Sequence, residues 1–165
     1  RCPDRPSRAR PPAVLDRLSR VSLPSDQMYS VTKRIEFCYG HRLLNYDGKC
    51  KHLHGHNGLL EIDVAAGSLD ARGMVADFGD IKDVVKEWVD TNMDHQMILS
   101  KDDPILKLLL DLNEPVYVMD ENPTAENIAK RIHEEAQNAG LDIMETRLWE
   151  TPSSYASYTS SESGS

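Results

Sequence analysis

Five of the six histidines in this chain fall between positions 41 and 95, and three of them occupy one run of five residues, His52-Leu53-His54-Gly55-His56. Imidazoles gathered this way suit a divalent transition metal, and the parity of the flanking residues says which of them can meet. Along a strand, alternate side chains point to opposite faces. His54 and His56 share the parity of Leu60, Ile62 and Val64, and His41 shares that of Phe37 and Tyr39. Two adjacent strands would therefore aim His41, His54 and His56 into one place on the buried face. A single inward histidine is most often a satisfied core residue. Three together are harder to explain that way, because unpaired imidazoles in a core cost desolvation. Three histidines with a free fourth position are the ligand pattern of catalytic Zn2+. His52 has the matching parity, but a fourth imidazole would close the site, so it is read as a lining residue.

Cys50 stands four residues before His54, flanked by Lys49 and Lys51 and preceded by Gly48. It belongs to no periodic apolar segment, and two ammonium groups and a nearby metal would all favour the thiolate. It reads as a reactive cysteine, the alternative being a fourth metal ligand that would make the site closed and structural. Cys38, opposite in parity to Phe37 and Tyr39, reads as an ordinary small residue with nothing catalytic around it. Asp94-His95 pairs a carboxylate with an imidazole it can orient and make more basic. Glu150, at the end of a strand candidate, is by itself simply polar.

These residues need elements to hold them. Tyr29 to His41 and His56 to Ala66 alternate in the manner of half-buried strands, with Glu61 and Asp63 on the face opposite Leu60, Ile62 and Val64. Ile81, Val84, Val85, Trp88 and Val89 fall on one face of an amphipathic helix. Asn122-Pro123-Thr124 reads as a second helix start, with a capping side chain and a proline in the first turn, and Gly140 as its C-cap. Asp142 to Trp149 and Ser154 to Tyr158 are weaker strand candidates around the turn Thr151-Pro152-Ser153. This order predicts an α+β fold, a four-stranded antiparallel sheet with two helices inserted between strands 2 and 3.

The length, 165 residues, suits one domain with its own core. Residues 1–27 are rich in Arg and Pro and are expected to be a disordered extension ahead of Met28, and the Ser-rich tail 159–165 is expected to be loose as well. The domain itself is 28–158. A net charge of −8 argues against nucleic acid. No apolar run approaches the roughly 18 residues of a membrane helix, and the N-terminus lacks the apolar core of a signal peptide. Three cysteines, an odd number without framework spacing, point to a reducing, cytoplasmic compartment. The chain has no His-Glu-x-x-His, no His-x-Glu paired with Cys-x-x-Cys and no Gly-rich phosphate loop, which excludes those metalloprotease, deaminase and nucleotide-binding classes.

Phe37-Cys38-Tyr39-Gly40-His41 and Cys50-Lys51-His52-Leu53-His54-Gly55-His56 resemble the signature of the 6-pyruvoyl-tetrahydropterin synthase superfamily. The likeness continues through Met93-Asp94-His95, Pro123-Thr124-Ala125-Glu126-Asn127 and Trp149-Glu150-Thr151, over about residues 28–158. The resemblance implies that His41, His54 and His56 bind zinc, that Cys50 is the catalytic thiolate, and that Asp94 and His95 complete the acid–base machinery from a neighbouring subunit. It implies that Glu150 anchors a pterin ring in a pocket lined by Thr124 and Glu126. It further implies the tunnelling fold, in which subunit sheets join into a barrel, a homo-hexamer, and 7,8-dihydroneopterin triphosphate as substrate. The three-residue gap between Cys50 and His54 resembles the 6-carboxytetrahydropterin synthase branch of queuosine biosynthesis more than the animal 6-pyruvoyl enzymes.

Overall fold

The computed structural model describes residues 28–160, so the Arg/Pro-rich stretch 1–27 and the last five residues lie outside the described residues. Two 13-residue strands dominate, β1 (Tyr29–His41) and β2 (His54–Ala66). They pair antiparallel in unbroken register from Tyr29↔Ala66 to His41↔His54. β2 starts two residues earlier than its alternation suggests, so His54 lies inside the ladder, opposite His41. The connection between them carries a short 3₁₀ turn, Lys49–Lys51, folded back so that Leu43 N–H donates to Cys50 C=O at 2.9 Å.

The sheet has six strands in the order β4-β3-β1-β2-β5-β6, which corrects the four-stranded antiparallel expectation. β5 (Ile143–Thr151) and β6 (Ser154–Tyr158) extend it antiparallel beside β2. On the other side β3 (Gln96–Ser100) and β4 (Val116–Met119) run parallel to β1 and to each other, with the short helix α2 (Leu106–Asp111) between them. Both are too short and too uniformly apolar for periodicity to mark them.

Helices α1 (Phe78–Asn92) and α3 (Ala125–Asn138) cover one face. Asp77 caps α1 by accepting from Gly79 N–H at 2.8 Å, and Ile81, Val85 and Val89 face inward as the spacing predicts. Thr124, not Asn122, caps α3, so Pro123 lies just before the helix instead of in its first turn. Gly140, at φ +94°, follows its end in the left-handed conformation that releases the chain into β5. The core joins Ile81, Val85, Val89, Ile128, Ala129 and Ile132 to Phe37, Leu60, Ile62, Ile98 and Leu148 of the sheet. Each side chain buried there contributes about 1.5–3 kcal/mol.

The face of β2 away from the helices departs from the alternation. Glu61 and Asp63 are each only 5% exposed, because Arg34 from β1 and Arg147 from β5 lie across them. Burial alone would raise the Glu61 carboxyl, but Trp149 and the guanidinium groups of Arg34 and Arg147 together outweigh it and hold its pKa below the ordinary value.

Candidate active site

The predicted histidines converge where β1 ends and β2 begins. His41 and His54 are cross-strand partners, and His56 pairs with Tyr39 one step further along the same face. Gly55 between them is required by close approach, since a Cβ there would lie 3.0 Å from the Tyr39 carbonyl oxygen. The ligating atoms of His41, His54 and His56 lie within 4.8 Å of one another, and no cysteine joins this group among the described residues.

Each ring is fixed from behind by a backbone carbonyl. His41 Nδ1 donates to Pro123 O at 2.7 Å, His54 Nδ1 to His52 O at 2.8 Å and His56 Nδ1 to Glu150 O at 3.2 Å. A carbonyl can only accept, so the proton of each neutral ring sits on Nδ1 and the lone pair on Nε2. All three lone pairs point at one spot. His56 Nε2 is buried without any hydrogen-bond partner, and the Nε2 atoms of His41 and His54 face each other at 3.0 Å. Two lone pairs at that separation repel unless a cation or proton lies between them. Ligand arms of 2.0–2.1 Å around tetrahedral zinc put the donor atoms about 3.3 Å apart, so these residues fit the ion with small adjustments. Burial pushes the His41 pKa down, which keeps that ring neutral and able to ligate.

Glu150 closes the cluster from β5. Its carboxylate lies 3.7 Å from His41 Nε2 and 3.9 Å from His56 Nε2, and accepts from Tyr39 Oη at 3.1 Å. Burial, helped by Glu150, pushes the Tyr39 phenol up, so it stays protonated and donates. Glu150 therefore sits against the three-histidine cluster, a position that alternation in β5 did not reveal.

The other predicted residues are placed as follows. Cys50 is half-buried in the 3₁₀ turn, outside the histidine group. His52 is exposed and supplies only its carbonyl, which corrects its reading as a lining side chain. Thr124 Oγ1 accepts from Asn127 N at 3.4 Å as the helix cap, and Glu126 is exposed in the first turn of α3.

Asp94 and His95 follow α1, and His95 adopts φ +57°, unusual for a side chain with a Cβ. That turn lets both reach the same residue of β1. Cys38 N–H donates to Asp94 Oδ1 at 2.8 Å, and His95 N–H donates to Cys38 O at 2.6 Å. His95 Nδ1 donates to Asp94 Oδ2 at 2.8 Å, and the His95 side chain is 79% exposed. Burial would raise the Asp94 carboxyl, but the Cys38 N–H and His95 win and hold it below the usual range. Cys38 thus lies against Asp94 and His95, surroundings that its place in the sequence did not reveal.

Sequence reasoning also missed Arg42 and Asp103. Asp103, fully buried in its side chain, takes a bidentate contact from Arg42, the residue after His41, and accepts from Ile105 N–H at 2.9 Å. This ion pair ties the end of β1 to the segment between β3 and α2. Arg42 beside it holds the Asp103 carboxyl below its ordinary pKa, although burial would raise it.

The fold is shared with solved pterin enzymes. The family model of 6-pyruvoyl tetrahydropterin synthase matches residues 30–161, and the chain belongs to that family. A Rickettsia felis protein named 6-carboxy-5,6,7,8-tetrahydropterin synthase is 42% identical over 137 residues, covering 78% of this chain and 98% of its own length. A Haemophilus influenzae protein of the same name is 36% identical over 140 residues, covering 79% and 99%. Among solved structures, an uncharacterized protein from Wolinella succinogenes superposes with a TM-score of 0.71 at 26% identity, over 82% of this chain and all of its own. The 6-pyruvoyl tetrahydropterin synthase of Caenorhabditis elegans superposes with a TM-score of 0.63 at 24% identity, over 82% and 97%, which shows the shared fold.

Proposed function

We propose that this chain is a zinc-dependent lyase of the cytoplasm. It converts 7,8-dihydroneopterin triphosphate and one water to 6-carboxy-5,6,7,8-tetrahydropterin, acetaldehyde and triphosphate, a step of queuosine and 7-deazapurine biosynthesis. The observation that carries the reading is the convergence of three Nε2 lone pairs, each ring fixed by a carbonyl behind it, with a carboxylate at their rim. The names of the relatives support the product.

Zn2+ held by His41, His54 and His56 would supply Lewis acidity to the hydroxyls of the substrate side chain, making them and the neighbouring carbon-bound protons more acidic. The remaining work falls to the chain's own residues. Cys50 takes a proton from the substrate side chain. His95 moves a proton on the opposite side of the side chain, its ring oriented by Asp94. Glu150, Thr124 and Glu126 hold the pterin, and Glu150, 3.7 and 3.9 Å from the Nε2 atoms of His41 and His56, would hold a ring beside an ion bound by those histidines. No outside reductant is consumed, because the ring is reduced at the expense of its own side chain.

The active form in this reading is a homo-hexamer in which Asp94 and His95 of one subunit serve Cys50 of another. Support comes from the exposed His95, from the short edge strands β4 and β6, and from Leu108, Leu110 and Leu112, which are 52–61% exposed on and beside α2. The second reading is the 6-pyruvoyl product, favoured by the family model's description. Incubation with dihydroneopterin triphosphate and mass identification of the products decides between them: carboxytetrahydropterin with acetaldehyde is expected, and a pyruvoyl product without acetaldehyde refutes the assignment.

A further inference from the structure

Cys38, Asp94 and His95 place a sulfur, a carboxylate oxygen and a ring nitrogen within 4.8 Å of one another. Cys38 has the opposite parity to His41 on β1, so this cluster stands on the other face of the sheet from the three histidines. All three donors are anchored to one residue of β1, through Cys38 N–H to Asp94 at 2.8 Å and through Cys38 C=O from His95 N–H at 2.6 Å. Among the described residues, the Cys38 thiol hydrogen-bonds only to the Asn57 side-chain oxygen, at 3.2 Å. A cavity of ≈ 800 Å³, which also borders His54 and His56, opens over Cys38, Asn57 and His95, with room for an outside ligand.

Thiolate, imidazole and carboxylate are the donor types zinc accepts, and three protein donors with an open fourth position complete a tetrahedral site. Arms of 2.0–2.3 Å require the donors to draw in to about 3.3–3.8 Å, which the exposed His95 ring can do by rotation. Doing so breaks the 2.8 Å bond between His95 and Asp94.

We propose that Cys38, Asp94 and His95 form a second zinc site, weaker than the three-histidine site, and that excess zinc bound there silences the acid–base pair. Binding releases the Cys38 thiol proton to solvent and involves no change of oxidation state. The site stands on its own geometry. The silencing rests on the catalytic role given above to Asp94 and His95.

Cobalt titration of the full chain tests both parts. The first equivalent, on nitrogen ligands alone, should give no thiolate-to-cobalt charge-transfer absorption, and further metal should bring that band in. Cys38→Ser should lose the band and the second equivalent, while Cys50→Ser keeps both. Turnover of the wild-type enzyme should fall as zinc exceeds one equivalent, and Cys38→Ser should lose that inhibition. No band at any ratio, or a band that survives Cys38→Ser, overturns the site. A band lost only in Cys50→Ser overturns it too and moves the cysteine into the first centre, against the three-nitrogen reading. A Cys38-dependent band without inhibition by zinc overturns the silencing.

Discussion

His133 and His41 are both buried imidazoles, 0% and 2% exposed, and they show what separates a core histidine from a candidate ligand. His133, on the inner face of α3, has a partner on each nitrogen: Thr146 Oγ1 at 3.1 Å and Ser160 Oγ at 3.3 Å, with Tyr158 edge-on at 5.0 Å between ring centroids. Hydroxyls can donate or accept, so either tautomer is satisfied. His41 has one carbonyl partner behind it and, in front, only another nitrogen lone pair and a carboxylate at 3.7 Å. Burial depresses the pKa of both. What differs is completeness: both nitrogens of His133 have hydroxyl partners, whereas the front nitrogen of His41 faces another imidazole nitrogen and a carboxylate, the arrangement a cation would satisfy.

Removing a ligand should have the largest effect. His54→Ala, at the less buried position, should fold, lose its metal and lose turnover by more than the roughly 10–100-fold that outer-shell changes cost. Metal analysis beside circular dichroism checks this, and a folded, metal-replete His54→Ala would erase the contrast with His133. Cys50→Ala should keep the metal and lose roughly 10²–10⁴-fold in turnover. Loss of metal in that variant would make Cys50 a ligand and the centre structural.

Effects on stability come next. Asp103→Ala strands the Arg42 guanidinium, and breaking a buried pair costs about 3–5 kcal/mol. Arg42 is 21% exposed and can turn toward water, so the low end, about 3 kcal/mol, is expected in denaturant unfolding. A loss below about 1 kcal/mol, the worth of a surface pair, would show that this anchor does not fix the end of β1. The smallest effect is the pH dependence from His133. Its pKa is lowered by burial, so the unfolded chain takes up the proton first. Stability from this residue is full above about pH 6.5, the ordinary histidine value, and is lost as pH falls toward the native pKa. His133→Gln should flatten that part of the wild-type melting profile. An unchanged slope would mean that another group, His41 included, carries it.

The histidine site was legible because β1 and β2 obey a strict two-residue period and pair without a bulge through the site, so parity translated directly into position. What parity could not give was anything set by a third element. Glu61 and Asp63 are buried by Arg147, more than 80 residues away in sequence. The surroundings of Cys38 depend on the left-handed turn at His95, which no glycine or proline announces. Glu150 reaches His41 and His56 because β5 lies beside β2, a pairing that β5's weak alternation did not reveal. The helices were found from their apolar stripes, but β3, β4 and α2 are too short to show a period.

The central claim is that His41, His54 and His56 form an open, three-nitrogen metal centre. X-ray absorption on the full chain loaded with one equivalent of zinc tests it most directly. The account predicts a first shell of three imidazole nitrogens at 2.0–2.1 Å with one further light atom and no sulfur. A sulfur scatterer near 2.3 Å, or failure to retain the metal at all, would contradict it.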